Sequence, residues 1–449
     1  MKRVAAAALV LFVWATPAQA FTKQGGVRTM ADGTSLAYDL YEPAGSAPAG
    51  GWPGVVALHG LGGSKDDVAS VAEVFVSHGY AVLAYSARGS GTSTGDVELA
   101  GPKEVSDEAA LEQWFAGLPD VSDTNVGAWG ISYGGGEVWN GLAAGVPYKA
   151  AEVVATWTDL YSALWPQDVA RSGVVAGLVG AVAGRSPLVS ANAANAIRSL
   201  DPAALRALAA PRSAYAHLPR ITTPVYMFQG RIDWTFDVGQ ALNGFTRVAG
   251  PRKLYIGRFG HSPATFPGPD AGYVADQSVA WFDHWLKGEP NGIDTAPPLT
   301  IAAATGAGRT SFAGLPPTRA LRLSLHGTGV RRTTAVLQRP LETFGTSTIQ
   351  VRVRSLAHYP RLVATVLAGG TPVTHGAIVP RAGRQTIRLA NYVVYVAKGS
   401  RLSVAFGPSS APPDLSYLGF GDRGSISLGT AELALHVLSK PVTHTRGSK

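Results

Sequence analysis

Short apolar runs alternate with longer helix-compatible stretches through residues 54–256. Continuous apolar runs bounded by turn residues are typical of buried parallel strands, and they lie at Gly54–Leu58, Ala81–Tyr85, Asn125–Trp129, Ala151–Ala155, Val225–Phe228 and Lys253–Ile256. Helical patterns occur between them, for example at Asp66–His78 and Glu104–Gly117. This alternation predicts an α/β fold built on a parallel sheet with right-handed crossovers.

Two segments depart from this alternation. Residues Val27–Pro43 alternate around Asp32–Gly33, which predicts a β-hairpin. The strand pattern also stops between Thr156 and Arg220, where the sequence is Ala-rich and helical in pattern and Asp201–Pro202 indicates a helix start. An insertion at this point would cover the carboxyl ends of the strands. We therefore expect a helical cap at about residues 157–220.

The pattern changes again after Gly288–Pro290. Thr295–Pro298 indicates a domain boundary, and the residues beyond it are rich in Val, Leu, Thr, Arg and Gly. Alternating runs typical of half-buried strands lie at Ile349–Val353, Val363–Leu367, Thr386–Leu389 and Glu432–Leu438. We expect an α/β domain at 21–296, an all-β sandwich or jelly-roll domain at 297–440, and a flexible tail at 441–449.

Composition supports two ordered domains. The chain has 449 residues, of which 46% are hydrophobic and 15% charged, as expected for a globular protein with sizeable cores. The formal charge is +8, but no basic run of the kind that follows phosphates is present, so nucleic acid is not expected as a partner. The chain has no Cys, which excludes disulfides and a thiol nucleophile.

The first twenty residues have the pattern of a secretory signal peptide. Lys2 and Arg3 precede the apolar segment Val4–Trp14, and Ala18–Ala20 is a small-residue cleavage site. We expect cleavage before Phe21 and a secreted, envelope or periplasmic protein; an uncleaved anchor is the alternative. The other apolar run, Gly173–Ala183, is too short to span a bilayer, so no stable membrane insertion is expected.

Candidate chemistry centres on Asn125–Gly136, where a strand-like run leads through Gly-Ile-Ser-Tyr-Gly into a helix-compatible run. This order is the signature of a nucleophile elbow, in which a serine lies on a tight strand-to-helix turn. The turn leaves no room for side chains two residues before and after the serine. Gly130 and Gly134 meet that demand for Ser132. The positive end of the following helix would face the negative charge that develops during acyl transfer.

The Gly-x-Ser-x-Gly pattern occurs a second time, around Ser93. Ser93 lies well past the apolar run Ala81–Tyr85, inside a cluster of Gly, Ser and Thr that predicts a loop. We therefore select Ser132 as the candidate nucleophile.

An α/β-hydrolase presents its nucleophile, acid and histidine in that chain order. Asp233 follows the predicted strand Val225–Phe228 and is the candidate acid, with Asp237 as the alternative. His261 follows the predicted strand Lys253–Ile256 and is the candidate base. The other nine histidines are assigned structural roles, His59 among them because it precedes the serine.

An oxyanion hole requires two donors directed at the developing alkoxide. The backbone N–H of Tyr133, directly after the nucleophile, is the first candidate. The second is the backbone N–H of Leu61, in the turn after the first central strand. No metal or organic cofactor is implied by this chemistry.

The set of motifs resembles the cocaine esterase and X-Pro dipeptidyl-peptidase family of α/β-hydrolases. The resemblance is carried by Arg88–Gly95, the elbow, Asp159–Tyr161 with Trp165, Gly230–Asp233, Gly260–His261 and Trp281–Gly288. It implies a helical cap, a carboxy-terminal jelly-roll domain, a Ser132–Asp233–His261 triad, and Trp165 as an aromatic wall of the acyl pocket. We also expect Trp157 and Trp234 to contribute to the substrate pocket.

Two positions depart from the family pattern. Many members place a tyrosine in the turn that here reads Leu61-Gly62-Gly63, and an aspartate at the position of Ser86. Both departures weaken any transfer of substrate preference from known members.

The sequence therefore predicts an exported serine hydrolase that acts on a small ester, amide or peptide substrate through an acyl-enzyme. It resembles an X-Pro dipeptidyl-peptidase, and a carboxylesterase or acyltransferase using the same triad is the alternative. Recognition of a peptide amino terminus would need acidic groups, for which Asp159, Asp168 and Glu137 are candidates. A non-catalytic envelope-binding protein on a hydrolase scaffold is the alternative of another class. The sequence does not indicate the oligomeric state.

Overall fold

The computed structural model describes residues 21–422 and 424–442. The predicted signal peptide, residues 1–20, and residues 443–449 of the predicted tail lie outside the described residues. The first two tail residues are described, and Val442 is buried, with its backbone N–H 2.6 Å from Glu342 Oε2. The described beginning of the predicted flexible tail is therefore packed against the rest of the protein.

The described residues include one large sheet of ten strands. In chain order these are β1 Phe21–Thr29, β2 Ser35–Pro43, β3 Trp52–Leu58, β4 Ala81–Tyr85, β5 Val121–Ile131, β6 Ala150–Val154, β7 Val225–Gly230, β8 Arg252–Gly257, β9 Leu299–Ala302 and β10 Arg309–Phe312. Their spatial order is β1-β2-β4-β3-β5-β6-β7-β8-β9-β10. Strands β3 to β9 pair in parallel, while β1, β2 and β10 join antiparallel at the two edges.

Helices cover both faces of this sheet and its carboxyl edge. They are α1 Ala69–Ser77, α2 Pro102–Ala116, α3 Tyr133–Ala144, α4 Leu160–Leu164, α5 Ser172–Ala181, α6 Pro187–Arg198, α7 Pro202–Ala209, α8 Val238–Arg247 and α9 Ala271–Lys287. Helices α1 and α9 bury their apolar sides against one face, and α2, α3 and α8 pack on the other. Helices α4 to α7, with short 3₁₀ turns, form the cap, which confirms the predicted insertion.

The α/β-hydrolase fold with a cap and a carboxy-terminal all-β region is confirmed, but the predicted boundary at residue 296 is wrong. Strand β9 pairs in parallel with β8, and β10 pairs with β9, so the chain leaves the large sheet only after Phe312. Thr295–Pro298 forms the connection into β9 rather than a linker between domains.

The carboxy-terminal region is a β-sandwich. Its strands are β11 Thr318–Ser324, β12 Arg331–Val336, β13 Leu341–Glu342, β14 Thr348–Ala357, β15 Leu362–Ala368, β16 Thr371–Ile378, β17 Gly383–Arg388, β18 Tyr395–Val396, β19 Arg401–Gly407 and β20 Ser425–Leu438. Two four-stranded antiparallel sheets, β11-β20-β14-β17 and β12-β19-β15-β16, enclose one apolar core. The four runs predicted from alternation lie in β14, β15, β17 and β20, except that Leu389 follows the end of β17.

The loop after β7 is tied to the sandwich by buried polar contacts. Arg231 forms a buried ion pair with Glu342, and its carbonyl accepts a hydrogen bond from Val393 N–H at 2.8 Å. Asp237 Oδ2 accepts from Asn391 N–H at 2.8 Å. Both ends of the loop between Arg231 and Asp237 are therefore anchored to the sandwich.

None of the helices between residues 21 and 442 that the structure describes is long and apolar enough to cross a membrane.

Candidate active site

Ser132 lies at the sharp turn between β5 and α3. Its backbone is strained, with φ 55° and ψ −113°, a conformation that nucleophile elbows impose on a non-glycine residue. A Cβ on Gly130 would lie 2.4 Å from Gly134 O, and one on Gly134 would lie 2.5 Å from Leu58 O. Both glycines are therefore required for the turn to close.

A continuous hydrogen-bonded chain links the three predicted triad residues. His261 Nε2 lies 2.9 Å from Ser132 Oγ, and His261 Nδ1 lies 2.8 Å from Asp233 Oδ2. Because Nδ1 faces a carboxylate, the neutral ring carries its proton there and leaves Nε2 free to accept from the serine. The structure brings these three residues together in the arrangement that a Ser–His–Asp triad requires.

Asp233 is fully buried and held by backbone donors. Its Oδ1 accepts from Thr235 N–H at 2.8 Å and from Phe236 N–H at 3.0 Å, and its Oδ2 also accepts from His261 N–H at 3.1 Å. Burial by itself would raise the pKa of this carboxyl, but the facing imidazole and these donors hold its pKa below the ordinary value. Asp233 is thus an anion at neutral pH. The alternative acid, Asp237, caps α8 and faces the sandwich instead.

His261 lies at the rim of the site, with 28% of its side chain exposed. Burial of the ring favours its neutral form, but the charge of Asp233 outweighs this effect and raises the pKa of His261 above its ordinary value. Gly260 precedes it with φ +126°, and a Cβ there would lie 2.8 Å from Asp233 Oδ2. The acid and the base can therefore approach each other only with glycine at position 260.

The turn after β3 passes over Ser132, as the oxyanion prediction requires. A Cβ on Gly60 would lie 3.9 Å from Ser132 Cβ, and Leu61 lines both cavities that reach the serine. Within residues 21–422 and 424–442, neither the Tyr133 nor the Leu61 backbone N–H donates to a protein acceptor. Both remain available to a substrate oxyanion, although the role of each stays a prediction.

His59 fixes the shape of this turn. The sequence predicted only that His59 has a structural role, without indicating which one. His59 Nδ1 lies 2.7 Å from Gly60 O, and His59 Nε2 accepts from Ala87 N–H at 3.0 Å. Burial lowers the pKa of His59, so the neutral ring that this pattern needs is maintained.

An apolar pocket extends from Ser132 beneath the cap, and we call it the acyl pocket. Trp157 and Trp165 form part of its wall. Trp157 Nε1 donates to Arg212 O and Trp165 Nε1 to Ala196 O, each at 2.7 Å. Because cap carbonyls occupy both indole N–H groups, the two tryptophans present apolar surface to the pocket.

Trp234 does not line the acyl pocket, so that prediction is wrong. Its ring packs against the apolar core of the β-sandwich, and its carbonyl accepts from the buried Arg171. Its neighbour Phe236 turns inward instead and lines the pocket, with its ring 5.4 Å from the His261 ring. Both are apolar aromatics near Asp233, and no local sequence signal separates them.

Ser93 is a loop residue, as predicted. Its hydroxyl donates to Ser86 O at 2.7 Å and accepts from Ala37 N–H at 2.9 Å, which ties the loop to β2. Its Gly-x-Ser-x-Gly pattern is therefore coincidental.

The model of one sequence family, described as X-Pro dipeptidyl-peptidase (S15 family), matches residues 32–263. The chain belongs to the S15 family. Ser132, Asp233 and His261 all lie within the matched region. As an S15 family member, the chain is a hydrolase of ester or peptide bonds.

Solved structures of low sequence identity share the fold of this S15 protein over nearly its whole length. A CocE/NonD family hydrolase from Staphylococcus aureus is 15% identical with a TM-score of 0.70, and the match covers 93% of each chain. An aminopeptidase from a marine sediment Thaumarchaeota archaeon is 13% identical with a TM-score of 0.70, covering 97% of this chain and 99% of the other. An α-amino acid ester hydrolase is 15% identical with a TM-score of 0.65, covering 97% and 98%. No curated protein sequence matches the chain significantly.

Within the residues that the structure describes, no group of three or more His, Asp or Glu side chains is arranged to hold a metal ion.

Proposed function

We propose that the protein is an exported serine hydrolase that prefers esters with an uncharged, apolar acyl group. One observation carries the preference: apart from Ser132 itself and the amide of Asn192, the pocket that begins at Ser132 is walled by aliphatic and aromatic side chains, and no Asp, Glu, Lys or Arg of the described chain lines it. Family membership supports hydrolysis of ester or peptide bonds. The hydrogen-bonded chain from Ser132 to Asp233 supports a serine mechanism.

In the proposed mechanism, His261 Nε2 takes the proton of Ser132 Oγ as the oxygen attacks the substrate carbonyl. The backbone N–H groups of Tyr133 and Leu61, with the positive end of α3, stabilise the oxyanion. The protonated ring then gives its proton to the leaving group, and the acyl group stays on Ser132. Water repeats these steps to release the acid, while Asp233 holds the ring and stabilises its charged form.

The positions of the three acidic residues that could bind a peptide amino terminus disfavour a dipeptide substrate, because none of them lines the acyl pocket. Asp159 and Asp168 line a different cavity, between the cap and the sandwich, and Trp165 forms a wall shared by that cavity and the acyl pocket. Glu137 is buried within α3, where burial raises its pKa well above the ordinary value and favours the neutral acid. A charged α-amine in the acyl pocket would therefore lose its hydration without gaining a carboxylate partner.

The assay compares Ala-Pro p-nitroanilide with p-nitrophenyl esters of acetate to octanoate, using the protein and its Ser132→Ala variant. We expect ester hydrolysis that increases with acyl length, weak or no anilide cleavage, and loss of activity in the variant by a factor on the order of 10⁶. Efficient anilide cleavage would overturn the acyl preference. Ester cleavage that persists in Ser132→Ala would overturn the mechanism.

Export is part of the proposal and is supported by the signal-peptide pattern in residues 1–20. The amino terminus of the protein isolated outside the cytoplasm would be sequenced. A start at Phe21 is the expected result, and an intact Met1 or an exclusively cytoplasmic protein would contradict it.

A further inference from the structure

A second cleft reaches Ser132 from the α1 and α9 side of the sheet. It holds about 1740 Å³ of empty space, including open solvent at its mouth. Its walls are the facing sides of α1, through Val71 and Val74, and of α9, through Val274 and Ala275. It also reaches down to Phe75. The cleft and the acyl pocket therefore meet at the serine from two different faces of the fold.

The two cavities differ in which reacting groups they contact. His261 lines the cleft but not the acyl pocket, whereas Tyr133 lines the acyl pocket but not the cleft. In the proposed mechanism the leaving oxygen must reach His261 Nε2, because that nitrogen supplies its proton. The acyl carbon must at the same time hold its oxygen near the Tyr133 N–H. These two demands direct the leaving group into the cleft and the acyl group under the cap.

The chemistry of the cleft indicates what kind of leaving group it takes. Its walls are mainly aliphatic and aromatic, and no Lys or Arg of the described chain lines it. Its one carboxylate, Asp67, is exposed and accepts from Ser64 N–H at 2.7 Å as part of a helix cap. A phosphorylated or carboxylated leaving group would find no cation here, whereas an alkyl chain would be removed from water along the walls.

We propose that the cleft between α1 and α9, which we call the leaving-group cleft, binds the apolar alcohol half of an ester substrate. This inference rests on the proposed function and adds that both halves of the substrate are apolar. During acylation the Ser132 Oγ–carbonyl carbon bond forms and the bond from that carbon to the alcohol oxygen breaks. The proton first taken by His261 passes to that oxygen, and the neutral alcohol departs through the cleft.

The test uses esters of one short acid, butyrate, with linear alcohols from methanol to hexanol. We expect KM to fall and kcat/KM to rise by about two- to fourfold for each added methylene, the effect of removing that group from water. Ser132-dependent hydrolysis that is independent of alcohol length would overturn the leaving-group cleft and leave the proposed function intact. Absence of Ser132-dependent hydrolysis of any ester would overturn the proposed function itself.

A pair of variants on α9 locates the effect. Ala275→Phe would fill the cleft, and we expect it to lower kcat/KM for hexyl butyrate by at least about tenfold while methyl butyrate changes by less than about twofold. Asp276→Phe adds the same ring at an exposed neighbour outside the cleft, and both esters should keep their rates. Val71→Gln on α1 provides a second variant that changes polarity with little change in volume. Equal losses for both esters in Ala275→Phe and Val71→Gln would overturn the assignment.

Discussion

The protein contains two Asp–His–hydroxyl arrangements of nearly the same geometry. In the candidate active site, His261 joins Asp233 at 2.8 Å and Ser132 at 2.9 Å. In the sandwich, His375 Nδ1 lies 2.7 Å from Asp414 Oδ2, and His375 Nε2 lies 3.1 Å from the Tyr392 hydroxyl. Distances between side chains do not distinguish the two.

The surroundings of the two arrangements distinguish them. Ser132 lies where two cavities meet, beside backbone N–H groups that have no protein acceptor in the described residues. Tyr392 is buried, its hydroxyl also accepts from Arg171 at 3.1 Å, and burial raises its pKa well above the ordinary value. An acid–base chain can act as a catalytic site only where its hydroxyl faces substrate space and oxyanion donors.

The sharpest test replaces each histidine. His261→Ala should lower kcat for ester hydrolysis by a factor on the order of 10⁶, because the serine loses its general base. The melting temperature should also fall, because the buried Asp233 carboxylate loses its imidazole partner, but by less than in His375→Ala, since the His261 ring lies at a partly exposed rim and Asp233 keeps its backbone donors. Initial rates and thermal melts of the purified variant provide both measurements.

His375→Ala is the matched control and should show the opposite pattern. It leaves the Asp414 carboxylate buried without its imidazole partner and opens a cavity, at a cost of about 3–5 kcal/mol in the free energy of unfolding. Rates per folded molecule should stay near those of the parent. A large fall in kcat without a change in stability would contradict the division between the two sites.

The second test exchanges the acids. Asp233→Asn should lower kcat by a factor on the order of 10⁴, because an amide neither holds the required tautomer nor stabilises the charged ring. Asp414→Asn should act on stability and leave kcat nearly unchanged. Kinetics and urea unfolding of the two variants are compared, and equal kinetic losses would remove the distinction.

The third test uses pH. Asp233 raises the pKa of His261, and the base must be neutral to act, so kcat/KM should rise with pH through a midpoint above the ordinary histidine value of about 6.5. Asp233→Asn removes the charge responsible, and the midpoint of its residual activity should move to lower pH. A midpoint that does not move would show that the carboxylate does not control the ring.

The Asp414–His375 pair in the sandwich makes the stability of the fold depend on pH in acid. The pKa of Asp414 is held below its ordinary value, against the effect of burial, by His375 and by the Ser416 N–H. A carboxyl of this kind stabilises the fold above its unfolded-state pKa of about 3.9, and the contribution disappears as pH falls toward the folded-state pKa. Melts below pH 4 should therefore lose less stability in Asp414→Asn than in the parent.

The smallest effect is expected from Tyr392→Phe. It removes the hydroxyl beside His375 but keeps the ring, so the free energy of unfolding should fall by about 1 kcal/mol. Activity should not change, which a standard ester assay would check. A loss of activity comparable with that of Ser132→Ala would identify the sandwich arrangement as a second active site.

Features that depend on one short segment of the chain could be predicted from the sequence. The elbow glycines, the strand before Ser132, and the acid and histidine that follow later strands each leave a local pattern, and the structure brings Ser132, Asp233 and His261 together. The α/β-hydrolase fold and the sandwich followed from the two different alternations along the chain.

Features that depend on distant segments were not predictable. Nothing in the run Leu299–Ala302 shows whether it extends an existing sheet or opens a new one, so the domain boundary was misplaced. Trp234 and Phe236 are both apolar aromatics two residues apart, and only the folded loop shows that Trp234 packs on the sandwich core while Phe236 lines the acyl pocket. The leaving-group cleft joins α1 and α9, whose packing the sequence pattern does not reveal.

The contacts that bind the loop after β7 to the sandwich have a consequence for the order in which the protein matures. Ser132, Asp233 and His261 all leave the ribosome before Glu342 and the segment containing Asn391 and Val393. The loop that carries Asp233 acquires its ion pair and hydrogen bonds only when those later residues have been synthesised and folded. We therefore expect a nascent chain that ends before Glu342 to contain all three residues while the loop that carries Asp233 still lacks these contacts.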